Sequence, residues 1–196
     1  MLEMKPAHIR DDGISITILR TPDNYIGPAI IGKIGKTYSD YSVGNKRMIN
    51  CLLESALITG EIVRYEDESL LTVVSKLERI EGTPASIIAH GVICNALLTV
   101  TRKEPQYDEY GNIIGETPTT IIAPLPCRAD VVSARMRQED PGLLATTLLV
   151  VYAPYDANLE QLDKANIADN DYQVDHIDTL KIPGVMVVQL GTWTGG

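Results

Sequence analysis

Asn95 to Arg102 reads N-A-L-L-T-V-T-R, Tyr107 to Asn112 reads Y-D-E-Y-G-N, and Thr119 to Arg128 reads T-T-I-I-A-P-L-P-C-R. In the first segment Ala96, Leu98 and Val100 fall on one face of a strand, because side chains alternate along an extended chain. The middle segment is dense in residues that favour turns. In the third, Thr119–Ile122 predicts the returning strand, and the Pro124-Leu125-Pro126-Cys127-Arg128 run stays extended because residues before proline avoid the helical region. Strand, polar loop and strand in this order predict an antiparallel pair.

The same signals recur on either side. Downstream, Leu143–Ala153 predicts a long strand whose nearly continuous apolarity implies burial on both faces. Asn158–Ala168 reads as a loop with Asp163 in it, and Asp130–Asp140 as a charged, mobile connection. Tyr172–Ile177 and Val185–Leu190 predict two closing strands, joined at Pro183-Gly184. Upstream, Ile87–Ile93 predicts a strand interrupted at His90 and Gly91. Gly60–Tyr65 and Leu70–Leu77 predict a hairpin turning at Glu66-Asp67-Glu68. Met48, Cys51, Leu52 and Ser55 share helical spacing, so 45–55 predicts a short helix. Residues 21–44, with Pro22, Asn24, Tyr25, Pro28, Tyr38 and Tyr41, read as a long irregular arm holding at most one short strand near Ala29–Ile34. Ile14–Arg20, I-S-I-T-I-L-R, alternates as a half-buried strand. The fold class expected is mainly β, an antiparallel β-barrel or sandwich with long loops and at most one or two short helices. Two regions are expected: residues 1–96, β-rich with the arm at 21–44, and residues 97–196, a β-barrel. No repeat at solenoid period is visible.

Composition supports a β core. The chain has 196 residues, nine Tyr, one Trp and no Phe, so its interior rests on Ile, Leu and Val. Formal net charge is −9, which argues against a broad phosphate-binding surface. The charge is uneven: residues 1–50 carry seven basic and five acidic side chains, residues 151–196 two basic and seven acidic. Two readings of such polarity stand side by side: a solvated acidic surface, or charge that steers head-to-tail packing of subunits. Cys51, Cys94 and Cys127 are widely spaced without a C-x-x-C pair, and are expected as free thiols rather than a zinc or redox site. The opening segment from Met1 to Asp12 is polar, and no apolar run approaches 18 residues.

Catalytic patterns are missing. His8, His90 and His176 lie in no metal-binding spacing. His176 sits between Asp175 and Asp178, a rim position rather than a catalytic pair. No G-x-S-x-G elbow surrounds a serine. The Gly35-Lys36-Thr37 triplet has Ile30 where a phosphate loop needs glycine. Glu66-Asp67-Glu68 lacks the spaced ligands of a calcium loop. Asp108 and Glu109 could be imagined as an acid–base pair, but the solvated-turn reading dominates. Neither enzyme activity, metal nor cofactor is expected.

Two stretches resemble head-closure (head-completion, connector) proteins of tailed-bacteriophage necks. Residues 97–128 are similar to that family's opening hairpin: a strand ending in an Arg-Lys pair, a Y-D-E-x-G loop, and a return to a P-C-R element. Residues 143–190, with V-V-Y-A-P-Y-D, D-Y-Q-V-D-H-I and G-V-M-V-V-Q-L, resemble the rest of that barrel. The resemblance covers about half the chain. It implies a structural virion protein at the head–tail junction, made in the host cytoplasm and assembled as a six- or twelve-fold homo-oligomeric ring. The partners implied are the portal or adaptor protein, a tail terminator or other tail protein, and genomic DNA passing without sequence-specific binding; no membrane is implied. The loop Tyr107, Asp108, Glu109, Tyr110, Gly111 and Asn112 would then project into the lumen and gate the genome. Tyr25, Tyr38 and Tyr41 would mark an inter-subunit arm, and Arg128, Arg135 and Arg137 inter-subunit charge contacts. A tail-completion or baseplate protein is the alternative, and a β-barrel enzyme or small-ligand binder a third.

Overall fold

The computed structural model describes residues 6–20, 22–33 and 46–194. It is mainly β, with two closed six-stranded antiparallel barrels and two short α-helices among the described residues. The chain divides into two compact units, Met1–Cys94 together with Ile182–Val185, and Asn95–Lys181 together with Met186–Gly196.

The first unit opens with a short helix, α1 (Pro6–Asp12), followed by β1 (Ile14–Leu19), β2 (Tyr25–Lys33), β3 (Lys46–Cys51), β4 (Ile62–Tyr65), β5 (Glu68–Ile80) and β6 (Thr83–Ile93). Their order around the barrel is β1-β2-β3-β6-β5-β4, closed where Ile18 pairs with Val63. Closure leaves the barrel without free edges. Ile16, Ile18, Ile49, Cys51, Val63, Leu70 and Ala89 point inward and form the core. Complete burial of each large aliphatic is worth roughly 1.5–3 kcal/mol.

The second unit holds β7 (Ala96–Tyr107), β8 (Ile113–Val131), α2 (Ala134–Glu139), β9 (Leu149–Pro154), β10 (Lys164–Ile167), β11 (Asn170–Ile182) and β12 (Val185–Thr192). Its order is β7-β8-β9-β12-β11-β10, closed where Val100 pairs with Ala165. Leu98, Val100, Val151, Ala165, Val174, Val188 and Leu190 fill it.

Strand for strand, the second barrel repeats the first. β4 and β10, like β5 and β11, begin and end 102 positions apart. So do four pairs of left-handed residues: Ala56 and Asn158, Gly60 and Leu162, Glu66 and Ala168, Gly82 and Gly184. Left-handed backbone is uncommon outside glycine, so its recurrence at one spacing marks the same path through the same turns. Backbone hydrogen bonds recur as well. The Gly60 N–H donates to the Thr72 carbonyl and Leu162 to Val174; Thr72 donates to Glu61 and Val174 to Asp163. Few side chains match across this repeat, Leu57/Leu159, Asp67/Asp169 and Ile80/Ile182 among them.

Several local expectations are corrected. Residues 46–51 are strand β3, not helix: Ile49 and Cys51 face the core in alternation, and only Leu53–Ser55 makes a 3-10 turn. Residues 25–33, expected inside an irregular arm, form β2, with Pro28 in the strand paired to Ser15. The strand expected from Leu143 begins only at Leu149, because Leu143–Leu148 packs in turns. The segment 158–168, read as a loop, contains β10, whose four residues are too few to show a period. Asp130–Asp140 contains α2, capped by the Ser133 hydroxyl accepting from Met136 N–H.

Candidate functional site

Each barrel is fastened at one corner by an arginine. After β3 and after β9 the chain makes a 3-10 turn that ends in a left-handed residue, Ala56 or Asn158. A carboxylate five residues on, Glu61 or Asp163, accepts from the backbone N–H three residues before it, Ile58 or Glu160. An arginine from the strand that closes the barrel then meets that carboxylate. In the second barrel Arg102 donates Nε to Asp163 Oδ1 (2.8 Å) and Nη2 to Oδ2 (2.9 Å), and also donates to the Asn158 carbonyl (3.0 Å) and to Glu160 (2.8 Å). In the first, Arg20 grips Glu61 in the same two-pronged way and donates to the Ser55 and Ala56 carbonyls. Only arginine offers the planar fork this needs. These staples are internally complete and structural.

What distinguishes the second barrel lies beyond its staple. Past Arg102 and Thr119 the β7–β8 pair leaves the barrel as a free two-stranded ribbon, paired from Lys103↔Pro118 to Tyr107↔Ile113. Its residues are exposed with few exceptions. Leu98 and Val100 are buried, so alternation places Glu104 and Gln106 on the face continuous with the barrel interior, and Lys103, Pro105 and Tyr107 on the other. The end of the ribbon is unusually apolar: Tyr107, Tyr110, Ile113 and Ile114 are 60–81% exposed. Pro105 and Pro118 lack an N–H, which blunts the ribbon against added strands.

The tip is ordered by one residue. Asp108 Oδ1 accepts from the Tyr110 and Asn112 N–H groups (2.9 and 2.8 Å), and Oδ2 accepts from the Asn112 side-chain amide (3.0 Å). The Asp108 N–H donates to the Asn112 carbonyl, and Gly111, at φ +83°, supplies the left-handed step. Hydrogen bonds from the Asn112 side chain and backbone, then from Tyr110 and Gly111, hold the Asp108 carboxyl below the usual carboxylate range. Of the six residues expected to form a projecting loop, Asp108, Gly111 and Asn112 thus shape the turn, while Tyr107 and Tyr110 display the apolar surface. Ile113 and Ile114, on the returning strand, complete that surface and were not singled out from the sequence; two adjacent isoleucines after a turn read equally well as the start of a buried strand.

The remaining sequence candidates lie elsewhere. Arg128 pairs with Asp130 at 2.5 Å and Arg135 with Glu139 at 2.6 Å. Arg137 donates to the Leu144 and Thr147 carbonyls (2.9 and 2.7 Å), fastening the β8–β9 connection as a strap. Buried Gln189 anchors the same strap, accepting from Leu144 N–H and the Thr147 hydroxyl and donating to the Gly142 carbonyl. Met136 and Leu143 of the strap and Tyr152 and Val187 of the barrel line a cavity of about 110 Å³ beneath it. The polar groups around that cavity are largely engaged, Asp140 with Lys181 and Asp178 with the Leu180 and Lys181 N–H groups. Tyr25 begins β2 and packs against the first core. Tyr38, Tyr41 and the Gly35-Lys36-Thr37 triplet lie outside the described residues. Among the described residues no group of three or more His, Cys, Asp or Glu side chains could hold a metal ion, and no helix is long and apolar enough to cross a membrane.

No family model and no curated protein matches this sequence.

Proposed function

We propose that this chain is a structural component of a tailed-phage neck, assembling with copies of itself into a ring between the portal or adaptor and the tail, with the β7–β8 ribbon as its working element. One observation carries the reading: an ordered ribbon with exposed Tyr107, Tyr110, Ile113 and Ile114 projects from one of two otherwise equivalent barrels. A two-stranded ribbon is at best marginal alone in water, and an apolar end gains by being covered. The internally satisfied staples suit a rigid scaffold, and recognition then falls to what the scaffold projects. In the ring, the apolar end of the ribbon contacts protein.

Two measurements test this. Joining Arg102 to Thr119 through a short glycine-containing turn removes the ribbon but not the barrel. The trimmed chain is expected to melt within about 1 kcal/mol of the parent, since no buried core is removed, while losing the parent's concentration-dependent rise in mass by sedimentation. A parent that stays monomeric at every concentration and on a portal template overturns the ring. Immunogold labelling of particles places the chain: label at the head–tail junction supports the neck, label at the tail tip transfers it to the baseplate, and unlabelled particles overturn the virion assignment.

A further inference from the structure

The outer face of the first barrel across β3, β6 and β5 carries Lys46 and Lys76 about an apolar patch, with Glu78 at its edge accepting from the Ser86 hydroxyl. Met48 pairs with His90 and His90 with Val74, while Lys46 pairs with Val92 and Lys76 with Ile88. Paired residues share a face, and the intervening Ile49, Ala89 and Ile87 point into the core, so these side chains point outward. None of them is fully buried, and Val74 is 47% exposed. Burial first, then the ammonium groups of Lys76 and Lys46, push the His90 imidazole below its ordinary pKa, which places both lysines about one apolar patch. The ribbon from Lys103 to Glu116 sets one lysine against Glu104, Asp108, Glu109 and Glu116, a net −3, around its apolar end.

We infer that the β7–β8 ribbon of one copy of this chain docks on the outer β3–β6–β5 face of the first barrel of the next copy. Tyr107, Tyr110, Ile113 and Ile114 cover Met48, Ile88 and Val74, and the ribbon's carboxylates lie against Lys46 and Lys76. The contact is heterologous, a different surface from each partner, and it propagates head to tail until the rotation closes a ring. Opposite charges fix the register and exclude ribbon-to-ribbon pairing. This inference names the partner surface for the ribbon and rests on the ring reading above.

The experiment is a charge exchange in the full chain, read by sedimentation equilibrium at low salt. Lys46→Glu/Lys76→Glu and, separately, Glu109→Lys/Glu116→Lys are each expected to weaken self-association at least tenfold. Mixing the two variants, or combining all four changes in one chain, is expected to recover most of it. Parent association is expected to fall between 50 and 500 mM salt as screening shortens the reach of these charges. A Val74→Cys chain mixed with a Tyr110→Cys chain is expected to give a mixed disulfide dimer under mild oxidation, which reads the same contact without depending on charge. Unaltered association in both reversals and no mixed dimer, while the ribbon-trimmed chain is monomeric, overturns this docking face and leaves the ring standing. A parent chain that never self-associates overturns both.

Discussion

The first barrel turns from β1 to β2 with six residues between Ile18 and its partner Tyr25; the second has twenty-one between Val100 and its partner Ile122. Around that difference the two are close to interchangeable, with the same strand order, the same left-handed positions and the same arginine fork at the closing corner. What recurs in both copies is what the barrel needs in order to fold. What occurs in one copy among the described residues, namely α1, the strap with α2 and the ribbon, is added to that shared frame, and the ribbon is the addition that is largely exposed and apolar at its end. The repeat therefore separates the shared barrel frame from what is particular to each copy inside a single chain, a division normally drawn by comparing relatives.

The staples give the sharpest way to break the equivalence. The Asp163 side chain is 2% exposed, whereas Glu61 is 14% exposed. Removing an arginine strands a carboxylate, and the cost grows with burial. Arg102→Ala is expected to destabilise the second barrel by about 3–5 kcal/mol and Arg20→Ala the first by about 2–3 kcal/mol. Hydrogen exchange localises each loss: faster exchange at the Leu162 and Val174 amides for the first variant, at Gly60 and Thr72 for the second. Equal losses, or losses spread evenly over both barrels, would show that the corners do not act as matched local locks.

A smaller effect separates the strap between β8 and β9 from the barrel beneath it. The Lys181 ammonium, hydrogen-bonded to Asp140, holds that carboxyl below its ordinary range, and the Gly142 N–H adds to the effect. A depressed folded-state pKa means a contribution fully present above the unfolded value near 4 and lost as pH falls through the folded value. Both side chains are more than a third exposed or close to it, at 45% and 35%, so solvent screening limits the pair to about 1 kcal/mol or less. Acidification from pH 5 to 2 is expected to lower the protection of the Leu143 and Thr147 amides relative to their intrinsic exchange rates, and Lys181→Met to lower it to the same degree already at pH 6. Strap amides indifferent to both changes would assign the strap's order to Arg137 and Gln189 alone.

The sequence makes the β class legible because alternation is local: Ile14–Leu19 and Ala96–Val100 each show their inward face within six residues. The turns at Glu66-Asp67 and Pro183-Gly184 are equally plain. Strand β3 reads as helix because Met48, Cys51 and Leu52 fall at helical spacing while Ile49 and Cys51 fit a strand over the same short span, and the closed barrel decides between them through pairing with β2 and β6. The repeat is hidden for a related reason. What recurs is backbone conformation, and a left-handed turn accepts Ala56 in one copy and Asn158 in the other, Gly60 in one and Leu162 in the other. Arg20 and Arg102 carry the same function but stand 82 positions apart, while Glu61 and Asp163 stand 102 apart, because the longer second-barrel connections intervene. The ribbon's loop was readable from Tyr107–Asn112; the surface it serves was not, since exposure of Ile113 and Ile114 depends on which strands fail to cover them.

The smallest expected effect on stability concerns the residue that most distinguishes the ribbon from the short β1–β2 turn. Asp108 is half-buried within its own turn and packs against neither core, so its hydrogen bonds hold a local shape while contributing little to the fold. Asp108→Ala is expected to leave the melting temperature of both barrels unchanged while speeding exchange at the Tyr110 and Asn112 amides, whose acceptor it removes. Protonation has the same effect: the carboxyl is depressed, so the tip stays ordered above the ordinary carboxylate pKa and loosens as pH falls through the folded value. Asp108→Asn keeps one acceptor oxygen and is expected to fall between the two. Loosening the tip without touching the barrel makes self-association weaker, because a partner must then order Tyr107 and Tyr110 as it binds. If instead the alanine variant exchanges slowly and associates as tightly as the parent, the tip's shape owes nothing to Asp108, and the Gly111 step and the Tyr107↔Ile113 pairing alone define what the second barrel presents.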